Sequence, residues 1–220
     1  MTSRTFHERL RKRFAKAGGG GVSAGIADRL EQYLLLLSRW NAKINLTAFD
    51  LVDPGDAALD RLLVEPVLAA HHLGDTQRDV IDIGSGSGSP AIPFHLAAPH
   101  TRITMVESKT RKAVFLREAA RHLKLSSATV ETARFEQLLT RPELHESFDV
   151  MTLRAVRVET ATLLTLQALL KAGGELFWFQ AGRKDAAPDL QAYPLVISRT
   201  IPLVQASGSR LVVFTKQRQS

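Results

Sequence analysis

The sequence predicts an α/β protein: a mostly parallel sheet closed by a C-terminal antiparallel hairpin, with a helical N-terminal extension. Three observations carry this. Apolar residues before position 75 recur at helical spacing. From Asp79 onward, short β-prone runs alternate with helical stretches, the signature of right-handed crossovers between parallel strands. The first of those runs ends in glycines at alternate positions, Gly84, Gly86 and Gly88, which let a chain turn sharply from sheet to helix. With 220 residues the chain is read as one domain, 1–75 forming the extension and 76–220 the core.

Phe6, Leu10 and Phe14 form a helical stripe whose back carries Arg9, Arg11, Lys12, Arg13 and Lys16. This segment reads either as a solvated basic helix or as an arm that touches phosphates. Gly18–Gly21 reads as a hinge or floppy connector. Ser23 is a plausible N-cap for a helix whose apolar face is Ile26, Leu30, Leu34 and Leu37. After a break at Pro54-Gly55, a second helical stretch runs from Leu59 to Leu73, and Pro66 should kink it or begin a new helix. Strands are expected at Asp79–Ile83, Arg102–Glu107, Thr129–Thr132, Phe148–Leu153 and Glu175–Gln180, with helices at Thr110–Leu125 and Thr160–Leu170. Leu195–Pro202 and Arg210–Thr215 have no helix between them and read as the closing hairpin.

Composition excludes several chemistries. There is no cysteine, so disulfides, thiolate metal sites and cysteine nucleophiles are ruled out. The net charge of +7 favours an anionic partner such as nucleic acid. No apolar run is long enough to span a bilayer or placed as an export signal, so a cytoplasmic protein without membrane attachment is expected. No metal site is expected.

The stretch Val80-Ile81-Asp82-Ile83-Gly84-Ser85-Gly86-Ser87-Gly88-Ser89 is the most informative. A phosphate-binding loop would need a lysine, which is absent. A dinucleotide fingerprint would need glycine where Ser89 stands. What remains is Asp-x-Gly-x-Gly-x-Gly, the pattern of S-adenosylmethionine-dependent methyltransferases of class I (Rossmann-like) fold. Glu107 ends the next strand run, where a carboxylate can accept hydrogen bonds from both ribose hydroxyls. Ala133-Arg134-Phe135-Glu136 follows the third strand and can flank an adenine ring.

Trp40-Asn41-Ala42-Lys43-Ile44-Asn45-Leu46-Thr47, together with this glycine turn and Pro90-Ala91-Ile92-Pro93, resembles the bacterial small-subunit ribosomal RNA guanine-N7 methyltransferases. These are the methyltransferase G family, also called glucose-inhibited division protein B. The similarity runs from about Tyr33 to Gln180. Val114-Phe115-Leu116-Arg117 and Leu153-Arg154-Ala155 resemble further family segments. The resemblance implies an S-adenosyl-L-methionine site at Gly84, Ser89, Phe135 and Glu136, with Arg154 nearby; Gly86 of the glycine turn is expected at the same site. The family usually carries a bulky apolar residue at the place of Ser89, a glycine at that of Ala91 and a lysine at that of Ala181.

The residues agree with N7 methylation of a guanine in 16S ribosomal RNA of the small subunit. Pyrimidine C5 methylation needs a thiolate. Exocyclic amine methylation usually needs an Asn/Asp-Pro-Pro-aromatic tetrad, and this chain reads Leu153-Arg154-Ala155-Val156 there. Guanine N7 has an in-plane lone pair and needs no general base, so alignment carries the catalysis. Candidate RNA contacts are Arg11, Lys12 and Arg13, and a second stripe of Arg117, Arg121 and Lys124. Adjacent His71 and His72 read as a polar helix end. A monomer is expected. The alternatives are a small-molecule methyltransferase of the same fold and a module that binds cofactor or RNA without chemistry.

Overall fold

Alternating apolar residues give the sheet two buried faces. In the computed structural model, which describes residues 3–154, 160–182 and 194–218, seven strands form one sheet. They are β1 (Arg78–Ile83), β2 (Thr101–Val106), β3 (Ala128–Glu131), β4 (Phe148–Arg154), β5 (Leu170–Gln180), β6 (Leu195–Val204) and β7 (Ser209–Lys216). Their spatial order is β3-β2-β1-β4-β5-β7-β6. The first five pair in parallel, and β7 runs antiparallel between β5 and β6. The chain order therefore reverses between β1 and β4, and ligands of such sheets bind outside the strand ends at this switch point.

Period two decides which side chain meets which layer. Val80, Val150, Phe177 and Phe179 face one hydrophobic cluster, whereas Ile81, Met151, Leu176 and Trp178 face the other. The first cluster is completed by helices α1 (Ser3–Lys16), α2 (Ala24–Asn41), α4 (Glu65–Ala70), α5 (Ala91–Ala97) and α6 (Thr110–His122), and by α3 (Asp56–Leu59) ahead of α4. The second is covered by α7 (Phe135–Leu139) and α8 (Thr160–Leu166). Sequence periodicity placed the strands and the longer helices, but it gave no sign of α7. That helix has only five residues, too short to show a stripe.

The N-terminal segment is anchored in the fold by its apolar stripe. Phe6, Leu10 and Phe14 are at most 1% exposed and join the main core; each such side chain contributes roughly 1.5–3 kcal/mol by burial. Helix α1 is therefore a structural layer. The first half of the glycine run is not a floppy connector, because Gly18 and Gly19 form a helix cap. The Gly18 amide donates to the Ala15 carbonyl and the Gly19 amide to that of Phe14, at 3.1 and 3.0 Å. Gly18 has φ +73°, the left-handed turn that this double bond requires. A Cβ on Gly19 would sit 2.4 Å from Leu68 Cδ2, so the segment packs closely there.

Helix α2 starts as read: Ser23 Oγ accepts from the Ile26 amide at 3.3 Å. Pro66 is the second residue of α4, which follows one π-helical turn, Asp60–Val64. The Glu65 amide there bonds back to Asp60, so the chain meets proline with a widened turn and no break. Among the described residues, no helix is long and apolar enough to cross a membrane.

Candidate functional site

Strand β1 ends in the glycine turn at the switch point. Gly84, Gly86 and Gly88 all have positive φ, at +76°, +51° and +83°. At Gly88 the requirement is also steric, since a Cβ would lie 2.6 Å from Ile92 Cδ1. The amides of Gly84 and Ser85 both donate to the Val106 carbonyl at 2.9 Å, which ties the turn to β2. The Tyr33 hydroxyl on α2 donates to the Ser87 carbonyl at 2.8 Å.

Two cavities flank this turn, and Gly84 borders both. The first, about 320 Å³, lies over the ends of β1, β2 and β3. Glu107, Phe135 and Glu136 line it, with Ile83 and Val106 as its floor. Glu107 is 6% exposed. Its Oε2 accepts from the Gly86 amide at 2.9 Å and its Oε1 from the Lys109 amide at 2.7 Å. The carboxylate is thus held rigidly at the strand tip by backbone donors. Phe135, half-buried, supplies an apolar wall and Glu136 is exposed. A rigid acceptor opposite an apolar wall suits the sugar and base of a nucleoside.

The second cavity, about 300 Å³, opens on the other side of the turn. Gly86, Ser89 and Arg154 line it, so the structure divides the expected site residues between two spaces. Ser89 and Arg154 do not reach the nucleoside-like cavity. The Ser89 hydroxyl donates to the Leu62 carbonyl at 2.9 Å and accepts from Arg154 Nη1 at 3.1 Å. This hydroxyl thus joins a polar network.

Arg154 is the centre of that network. Its Nη2 donates to Glu65 Oε2 at 3.0 Å, its Nη1 also donates to the Arg61 carbonyl, and its guanidinium carbon lies 4.3 Å above the Phe179 ring. Glu65, 1% exposed, also receives Arg61 Nη1 at 3.1 Å. Burial pulls the guanidinium pKa down, and Glu65 opposes that pull. Below the turn, burial pushes the Asp82 carboxyl up. Asp82 Oδ1 accepts from Thr152 Oγ1 at 2.5 Å, and its Oδ2 has no hydrogen-bond partner among the described residues.

The candidate RNA contacts separate as well. Arg11 and Lys12 are exposed on α1, but Arg13 is not available. It is 7% exposed, with Nε 2.7 Å from Asp60 Oδ1 and Nη1 2.7 Å from Asp56 Oδ2. Arg117 is exposed, and its Nη2 donates to Thr132 Oγ1 at 2.6 Å and to the Val130 carbonyl. Arg121 and Lys124 are exposed, Lys124 beyond the end of α6. His71 and His72 are exposed after α4. Ala155 and Val156, where the amine-methylating tetrad would sit, lie outside the described residues.

Sequence reasoning missed Thr47, Phe49, Arg61, Leu62 and Lys112, which complete the second cavity. The Trp40–Thr47 string was the only pointer. Its role is visible at Asn41, whose Oδ1 accepts from the Leu46 and Thr47 amides, both at 2.9 Å. That bond folds the chain after α2 into the cavity wall.

The family profile described as rRNA small subunit methyltransferase G matches residues 26–196. Curated relatives named "Ribosomal RNA small subunit methyltransferase G" include those of Roseiflexus sp. (36% identical, 68% of this chain), Xanthomonas euvesicatoria (36%, 70%) and Stenotrophomonas maltophilia (37%, 71%). The aligned parts span 62%, 69% and 66% of those proteins. Solved structures agree in fold at low identity. The Escherichia coli protein yhhF, assigned as a methyltransferase, superposes with TM-score 0.54 at 13% identity over 70% of this chain and 84% of its own. The [4+2]-cyclase SpnF gives 0.59 at 14% identity over 88% and 96%. The fold thus also serves chemistry other than methyl transfer.

Proposed function

The chain belongs to the rRNA small subunit methyltransferase G family, and from that premise we propose that it methylates N7 of a guanine in 16S ribosomal RNA, using S-adenosyl-L-methionine. The observation that carries the cofactor assignment is the first cavity. Glu107 holds a fixed carboxylate at the tip of β2, facing Phe135 across a floor of Ile83 and Val106. These residues fit a nucleoside, with Glu107 accepting from the ribose hydroxyls and Phe135 beside the adenine. When bound, S-adenosyl-L-methionine supplies a sulfonium-activated methyl group, which passes to the N7 lone pair while the carbon–sulfur electron pair stays on sulfur.

The residues of this chain align the reactants and exclude water. The glycine turn lets backbone approach the ligand without side chains in the way, and Tyr33 and Val106 fix the turn. No proton has to leave N7 before it reacts, so no general base is required. Arg154 and Glu65 hold the floor between the turn and α4. The +7 net charge suits a polyanionic partner. The proposed setting is the cytoplasm, where small subunits are found, with the enzyme acting as a monomer.

The test is transfer of labelled methyl from S-adenosyl-L-methionine to unmodified small subunits, mapped by mass spectrometry. Label is expected on N7 of one guanine of 16S RNA. Label on another atom, or none, overturns the reading. Glu107→Gln should weaken binding of S-adenosylhomocysteine about tenfold, because a neutral amide accepts hydrogen bonds less well than a carboxylate.

A further inference from the structure

Building on that functional reading, we propose that the second cavity holds the acceptor nucleotide, with Phe49 as the stacking surface for the target base and Lys112 as the contact to its phosphate. Gly84 borders both cavities, so a nucleoside in the first leaves the second as the adjoining space for an acceptor. The inner wall of that space is the glycine turn with Ser89 and Arg154. Its outer wall comes from the segment after α2 and from the start of α6, through Thr47, Phe49 and Lys112.

Phe49 is half-buried and packs against the main core, so its ring is already placed before a ligand arrives. The segment carrying it is folded by Asn41 and by the Phe49 amide, which donates to Thr47 Oγ1 at 3.3 Å. An aromatic ring positioned in advance on a cavity wall suits a splayed-out base, which RNA-recognising proteins stack on such rings.

Lys112 supplies the second half of the argument. It is half-buried and makes no hydrogen bond or ion pair among the described residues. The neighbouring Arg61 and Arg154 share Glu65. Arg61, Arg154 and Lys112 all line this cavity, and Lys112 is the one of the three without a counter-charge among the described residues. An ammonium on the cavity wall with no protein counter-charge is free to meet a phosphate oxygen. A fixed aromatic ring beside an unpaired cation is the chemistry of a nucleotide. The competing occupant is the carboxylate of the cofactor's amino-acid end, and cofactor affinity separates the two.

The experiment measures kcat and KM on unmodified small subunits for Phe49→Ala, Phe49→Tyr and Lys112→Gln. Calorimetric binding of S-adenosylhomocysteine by the same proteins reports on folding and on the first cavity. Phe49→Ala should raise KM about tenfold, and Phe49→Tyr should restore it. Lys112→Gln should raise KM and reduce the slope of log affinity against log salt by about one. All three should bind S-adenosylhomocysteine as the wild type does. Unchanged KM in Phe49→Ala and Lys112→Gln overturns the proposal. So does a loss of S-adenosylhomocysteine affinity that parallels the KM change, since the residues would then serve the cofactor. A wild type that transfers no methyl to these subunits is a different result, and it brings down the functional reading itself.

Discussion

The Tyr33 hydroxyl and the Ser87 carbonyl meet at 2.8 Å, joining α2 to the glycine turn across 54 positions of sequence. Tyr33 is fully buried, and burial pushes its phenol above the ordinary tyrosine value, so it stays a donor at physiological pH. The same helix packs beside α6 through Trp40, whose ring lies 5.8 Å from that of Phe115. The helical N-terminal layer thus braces the turn as well as covering the sheet.

Removing that hydroxyl separates bracing from burial. Tyr33→Phe keeps the ring but leaves the Ser87 carbonyl short of a donor, at a cost of about 1 kcal/mol. S-adenosylhomocysteine affinity should fall several-fold, by calorimetry, while urea unfolding stays cooperative. An unchanged affinity would show that the turn holds its shape without α2.

Acid should destabilise the fold through His95. The ring is 4% exposed in α5. Its Nδ1 lies 2.8 Å from Thr101 Oγ1, whose own hydroxyl donates to the Ala98 carbonyl at 2.7 Å; Nδ1 is therefore the protonated nitrogen of a neutral imidazole. Burial, with Arg29 and His100 adding repulsion, lowers its pKa from 6.5 to about 4. A folded-state value below the unfolded one means that the folded chain binds the proton less well. The stabilisation is whole above about pH 6.5 and is lost as pH falls towards 4, by about 1.4 kcal/mol per unit at most. Urea midpoints at pH 7.5 and pH 5 should differ less in His95→Leu than in the wild type. Equal differences would clear His95 of the effect.

The basic face of α1 should split by residue. Arg13→Ala leaves Asp60, 4% exposed, without its main partner, and should cost about 3–5 kcal/mol in urea unfolding. Arg11→Gln and Lys12→Gln change exposed positions and should stay within about 0.5 kcal/mol. Any contribution of α1 to RNA affinity should then appear as a shallower salt dependence in the Arg11/Lys12 double variant. A stable Arg13→Ala protein would refute the buried ion pair. Deleting α1 is the wrong test of this point, because it also removes Phe6, Leu10 and Phe14 from the core.

Much of the architecture was legible because it is written in local patterns. Alternating and helical periodicities located each strand and the long helices, and the glycines after Ile83 marked the turn. Glu107 was legible as an acid at a strand tip, and it does border the first cavity. One member of the basic stripes was not legible: periodicity shows that Arg13 shares a face with other cations, but not that Asp60 waits opposite it.

By itself the sequence determined the parallel sheet with its closing hairpin, the glycine turn, and the absence of thiol chemistry. Each follows from residue type and near-neighbour spacing. Only the tertiary structure decided that two cavities share the turn, that Ser89 and Arg154 belong to the second, and that Phe49 and Lys112 stand together across it. Those relationships join segments tens of residues apart, and they exist only once helices and sheet have packed, because hydrogen bonding and burial act on distances in space that local spacing along the chain does not encode.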